Sequence, residues 1–158
     1  MSGSQLPTEL IDQIRALPLT LSEAVETLDD AQLDTPYDVG KWTVRQVVHH
    51  LADAHVNAFV RMKWILTEEN PIIKPYDQDL WAKLADVKLP IEISMAILHG
   101  VHYRCCFMLE SIPEESWQRT AEHPEIGKIS LYDLVEIIAV HGRTHVAQIT
   151  QLRSARGW

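Results

Sequence analysis

The stretch from Trp42 to Thr67 constrains the fold more than any other part of the chain. Thr43 is followed three residues later by Gln46, the pattern of a reciprocal cap in which each side chain bonds the other's backbone N–H. Trp42 and Val47 flank that cap as a hydrophobic staple. Beyond it, Val44, Val48, Leu51, His55, Ala58, Met62 and Ile65 recur every three or four residues, which lines one face of an α-helix. A helix running to about Thr67 spans roughly 36 Å at 1.5 Å per residue. Its single apolar stripe has to be covered by other helices of similar length.

The rest of the chain supplies them. A first helix is expected from Pro7 to about Leu28, with Pro18 kinking or splitting it, and the turn-forming run Asp34 to Gly40 ends that element. A third follows Pro90, with Met95, Leu98, His102, Cys105, Leu109 and Ile112 as its seam, and stops at Pro113. The fourth starts at Ser130 with Asp133 in its first turn, and its seam is Leu131, Leu134, Ile138, His141, His145, Gln148 and Leu152. Residues 68–90 are too long for a tight helical hairpin and carry a short helical piece around Asp79 to Leu84. Residues 113–129 form a second irregular connection, with a turn near His123-Pro124 and Gly127. The expectation is an all-α, single-domain chain over residues 1–158, a four-helix bundle. Its long connection between helices 2 and 3 permits a topology other than simple up-down-up-down.

Fourteen basic against 22 acidic residues give a net charge of −8, which argues against nucleic acid or an anionic membrane as partner. The most apolar stretch, Ile91 to Ile112, is interrupted by Glu92, His99, His102, Arg104 and Glu110 and does not read as a bilayer span. Met1 to Gln5 lacks the basic and apolar regions of a secretory signal. Cys105 and Cys106 are adjacent and do not form a disulfide framework. These features predict a soluble cytoplasmic protein. Cys105 reads as a small buried hydrophobe and Cys106 as its rim.

The unusual residue is histidine, present eight times. His141 and His145 stand four apart on the inward seam of the fourth helix, so two imidazoles can reach one ion. The competing reading is a pair of neutral core histidines bonded to other side chains. A third ligand would come from another helix, where His49, His50, His55, His99 and His102 are all candidates, and helical geometry does not choose among them. Asp53, Glu136 and Gln148 lie within about a turn of a candidate ligand and could orient it, while Arg143 points off that face.

The segment Trp42-Thr43-Val44-Arg45-Gln46-Val47-Val48-His49-His50-Leu51-Ala52-Asp53-Ala54-His55 resembles the signature helix of the DinB-like superfamily, in particular its YfiT branch. The likeness continues through Lys74-Pro75-Tyr76-Asp77, Trp81, His141 to Ile149 and the terminal Gly157-Trp158, and so covers nearly the whole chain. The resemblance implies an up-down-down-up four-helix bundle, a homodimer, and one divalent metal ion held by three histidines, zinc or nickel being the expected metals. Carried onto this chain, the ligands are His50, the second of the His49-His50 pair, with His141 and His145. The branch comprises metal-dependent hydrolases and bacillithiol S-transferases. The resemblance therefore implies a small-molecule substrate and either a water or a low-molecular-weight thiol such as bacillithiol activated by the ion. Two departures touch the surroundings of the site: Gly142, Arg143 and Thr144 stand where some relatives carry further histidines, and the N-terminus is shorter. The rival from another class is a noncatalytic bundle whose metal stabilises the fold or buffers metal or thiol under stress.

Overall fold

The computed structural model describes residues 7–158, so the first residues of the chain, including the start inspected for a secretory signal, lie outside it. Four long helices dominate: α1 (Pro7–Val25), α3 (Val44–Thr67), α5 (Ile91–Ser111) and α6 (Leu131–Arg156). Two four-residue helices, α2 (Asp30–Leu33) and α4 (Gln78–Trp81), sit in the connections, and a small antiparallel hairpin, β1 (Thr120–His123) with β2 (Gly127–Ser130), precedes α6. Among the described residues no helix is long and apolar enough to cross a membrane.

The caps of α3 and α6 form as their sequences predict. Thr43 Oγ1 accepts from Gln46 N at 3.1 Å while Gln46 Oε1 accepts from Thr43 N at 2.9 Å. Ser130 and Asp133 make the equivalent pair at the start of α6. The first helix is shorter than expected. It stops at Val25, where Thr27 adopts a left-handed φ of 67°, and Asp29 then caps the separate α2 through its own box with Gln32. That capping box, just past the expected helix end at Leu28, is the local signal for a separate helix. Pro18 does not split α1.

α1 packs against α5 and α6, and α3 packs against the same two, so α1 and α3 occupy opposite corners of the bundle. Directions follow from side-chain partners. Cys106 Sγ lies 3.7 Å from the Ile11 carbonyl and His102 reaches the Ile14 carbonyl, so α5 runs antiparallel to α1. His49 meets Ser94 and His55 meets His102, so α3 and α5 run the same way. Gly142 abuts Leu17 and Arg153 abuts Ala24, which makes α6 parallel to α1. The bundle is up-down-down-up. Residues 68–90 are long because they must carry the chain back along the bundle before α5 can start beside the head of α3.

That returning segment is fastened at both ends. Ile73 is fully buried, its N–H bonds the Glu122 carbonyl of β1 at 2.9 Å, and Glu122 N–H bonds the Pro71 carbonyl at 2.9 Å. Near the other end, buried Arg45 donates to Asp34 and Asp30, both at 2.7 Å, and to the Leu89 carbonyl. These bonds hold α2, α3 and the approach to α5 together and raise the arginine's pKa. Two other arginines terminate helices they do not belong to. Arg119 Nε and Nη2 donate to the Ile65 and Glu68 carbonyls at the end of α3, each at 2.7 Å. Arg153 Nη1 donates to the Ala24 and Glu26 carbonyls at the end of α1, each at 2.9 Å.

The core is divided. One apolar cluster, around Ile14, Met62, Leu109 and Leu131, fills the end nearest the hairpin. A second, around Leu21, Val48, Leu98 and Ile149, fills the end nearest α2. Cys106, expected at the rim, belongs to the first cluster and is fully buried, because α1 covers that side of α5. Between the two clusters lies a layer of histidines.

Candidate metal centre

α3 contributes His50, and α6 contributes His141 and His145 one turn apart. One ligand-capable nitrogen from each lies within 4.8 Å of those of the other two. The Nε2 atoms of His50 and His141 are 3.0 Å apart, and those of His141 and His145 are 3.2 Å apart. An ion bound tetrahedrally at 2.0–2.1 Å by imidazole nitrogens separates those nitrogens by about 3.3 Å. The rings meet edge to face at centroid separations of 4.6–5.0 Å, so their in-plane lone pairs can converge without the rings stacking.

Burial makes these groups neutral. Desolvation, with the neighbouring His141 and His145 rings adding, pushes His50 down to about 3. Desolvation and then His145 push His141 down to about 4. His145 is lowered by burial too, partly offset by its bond to Gln148. Neutral imidazole is the form that binds a metal. His145 Nδ1 donates to Gln148 Oε1 at 2.8 Å, which leaves the Nε2 lone pair free for the centre. With the His145 Nε2 lone pair free and His141 Nε2 within 3.2 Å of it and 3.0 Å of His50 Nε2, the facing nitrogens have the spacing of ligands to one ion. The donor set therefore fits a divalent ion.

One side of the cluster opens into a cavity of about 490 Å³ lined by Tyr37, Lys41, Trp42, Gln78 and Asp79. Trp42, read as a staple, packs against the core cluster that contains Val47 and also forms the wall of the site, its ring 4.6 Å from His50 and stacked over His145 at 6.5 Å. The loop between α2 and α3 places it there, closed by Tyr37 N–H bonding the Trp42 carbonyl at 3.0 Å. A larger recess of about 900 Å³ lies beside Arg45, whose guanidinium is already committed to Asp30 and Asp34.

The remaining histidines separate cleanly. His49 turns away from the cluster and bonds Ser94 Oγ at 2.7 Å and the Leu89 carbonyl at 3.0 Å. His99 is exposed, and His123 lies on the hairpin. His55 and His102 are buried behind His141: His55 Nε2 is 3.3 Å from His141 Nδ1, and His55 Nδ1 is 2.8 Å from His102 Nε2. Seam periodicity places both inside, but their joining of one layer depends on the parallel pairing of α3 with α5. Of the candidate orienting residues, Gln148 does bond a ligand; Asp53 and Glu136 hydrogen-bond none of the three histidines, and Arg143 is exposed.

Comparison with known proteins shows the family and the fold. The model of the DinB superfamily matches residues 13–149. A protein of Oceanobacillus iheyensis named "Putative metal-dependent hydrolase" is 48% identical over 150 residues, covering 95% of this chain and 87% of that protein. A Bacillus cereus protein of the same name is 47% identical over 148 residues, covering 94% and 86%. YfiT from Bacillus subtilis, described as a probable metal-dependent hydrolase with an unusual four-helix bundle topology, superimposes with a TM-score of 0.94 at 40% identity, covering 100% of this chain and 91% of that one. A mycothiol-dependent maleylpyruvate isomerase shares the fold, with a TM-score of 0.74 at 14% identity over 92% of this chain and 61% of its own.

Proposed function

The chain belongs to the DinB superfamily, and we propose that it is a metal-dependent enzyme of the YfiT type whose ion is held by His50, His141 and His145. The observation that carries this is the convergence of three neutral imidazole nitrogens beside an open cavity. Three ligands with space on one side is a catalytic arrangement, whereas structural zinc sites close with four. A divalent ion there, zinc or nickel as the family resemblance implies, would supply Lewis acidity that lowers the pKa of a water or thiol bound to it.

The chain's own residues set what else happens. Trp42 and Tyr37 form an aromatic wall that excludes water from one side of the reacting group, and Lys41 and Gln78 offer a cation and an amide to a polar substrate. Asp79 is the one carboxylate among the described residues lining the cavity, and we assign it to accept a proton from the attacking group in hydrolysis. The relatives' names support hydrolysis. A single carboxylate also suits transfer of a low-molecular-weight thiol, because a thiol at a metal loses its proton without a protein base. That thiol, bacillithiol or one like it, would come from solution: burial, with Cys106 beside it, pushes the Cys105 thiol up to about 12, and Cys106 is raised by burial too.

Metal analysis of purified protein and of His→Ala variants tests the ligand set; stoichiometric metal surviving His50→Ala and His145→Ala would overturn it. Ester turnover without thiol supports the hydrolase, and thiol-dependent spectral change of the cobalt-substituted protein supports the transferase. We further propose a cytoplasmic homodimer. Two unpaired buried cysteines favour the reducing compartment. The outward face of α5, with Ile93, Ile97, Tyr103 and Phe107 all exposed, supplies apolar surface for a second copy.

A further inference from the structure

The histidine layer continues past the three candidate ligands and ends on a backbone carbonyl that α1 leaves short of a partner. Pro18 stands inside α1 and has no N–H, so the Ile14 carbonyl one turn earlier lacks its helical donor. His102 Nδ1 lies 2.5 Å from that carbonyl oxygen.

A carbonyl can only accept, so His102 carries its proton on Nδ1 and, being neutral, presents a lone pair at Nε2. The facing atom, His55 Nδ1, must then donate, at 2.8 Å, with the two ring planes 13° from parallel. That leaves the lone pair of His55 at Nε2, which accepts from His141 Nδ1–H at 3.3 Å. His141 in turn has its lone pair at Nε2, the atom that faces His50 and His145. One acceptor at the far end orders every proton between it and the site.

We propose that His55 and His102 are positioning residues: anchored on the Ile14 carbonyl, they hold His141 in the Nδ1–H tautomer with its Nε2 lone pair turned to the centre. This rests on the metal reading given above. Metal-bound histidines commonly donate their second N–H to a carboxylate or carbonyl, which fixes ring and tautomer together. Here the partner is a neutral imidazole, and the partner of His145 is the neutral Gln148 amide. Among the described residues no carboxylate hydrogen-bonds any of the three candidate ligands, so none behind the site would reduce the positive charge a bound ion presents to the cavity.

The test has two parts. Long-range proton–nitrogen NMR of the imidazoles at neutral pH, on the metal-free protein, reads each tautomer directly; Nδ1–H is expected at His55, His102 and His141, and Nε2–H at His55 or His102 would overturn the proposal. Zinc affinity, measured by chelator competition, is expected to weaken about 10–100-fold in His55→Leu. It is expected to recover largely in His55→Gln, whose amide oxygen can take the place of the Nε2 lone pair. His55→Leu binding as tightly as the parent, or His55→Gln falling equally far, would refute the positioning role. The parent protein and His141→Ala, assayed together, judge the metal reading separately. If neither binds zinc, that reading fails, while the tautomer measurement still decides the ordered chain.

Discussion

Gly142 sits between two candidate ligands, and replacing it with alanine should destabilise the protein even though alanine is the better helix former. A Cβ built at Gly142 falls 2.6 Å from Leu17 Cδ2, 3.0 Å from Cδ1 and 3.3 Å from Cγ. Carbon atoms rest at about 3.5–4.0 Å, so the nearest methyl would have to retreat by roughly an ångström. Leu17 is only 4% exposed and cannot swing into solvent. Overpacking of this kind costs about 2–3 kcal/mol, near the upper part of the usual range, because three atoms of one buried side chain are involved. Removing a mid-helix glycine returns about 1 kcal/mol. The expected net loss is roughly 1–2 kcal/mol, or a fall in Tm of about 2–8 °C for a chain of this size. Urea denaturation with chelator present measures it free of any ligand contribution. The decisive comparison is the double-mutant cycle with Leu17→Ala, which removes both offending methyls. In that background Gly142→Ala should become neutral or stabilising by up to about 1 kcal/mol. Equal destabilisation in both backgrounds, or a gain in the parent, would refute the steric argument.

Other expectations follow from the divided core and its burial. Chelation should leave the far-ultraviolet dichroism unchanged, since two apolar clusters hold the bundle on either side of the histidines; unfolding on chelation would favour the structural rival. Thiol alkylation at pH 8 should be negligible in the folded protein and rapid in denaturant. Both thiols are raised by burial above the ordinary thiol value, Cys105 to about 12, so at pH 8 the reactive thiolate is scarce until the protein unfolds. Arg119→Ala should cost about 1–3 kcal/mol in denaturation, because it strands the Ile65 and Glu68 carbonyls at the end of α3. No measurable loss would show that water replaces the guanidinium.

Much of this molecule is legible in its residues because the relevant physics is local. The Thr43–Gln46 and Ser130–Asp133 boxes, Pro90 and Pro113 set helix ends within a few residues, and i, i+4 spacing places His141 beside His145. What periodicity leaves open is what depends on neighbours. Choosing His50 over His49 needed the family resemblance, since adjacent helical residues point about 100° apart and either can face a partner. Burial of Cys106 and the role of Trp42 are set by α1 and by the loop that follows α2, elements whose packing no stripe on α5 or α3 encodes. The histidine layer depends on α3 and α5 running parallel, a consequence of the long return segment between them.

The two arginines that close helices other than their own have a consequence for how the chain reaches its native state. Arg153 and the end of α1 are about 130 residues apart in sequence, and Arg119 and the end of α3 about 50. Neither helix has a basic residue in its own last turn. Their final carbonyls therefore gain these partners only after distant parts of the chain have arrived. An excised α1 or α3 should fray at its C-terminus, and the last turns should form late, together with docking of α6 and the segment before β1. Completion of two secondary-structure elements is thus conditional on tertiary assembly, which couples local order to the whole and sharpens the folding transition.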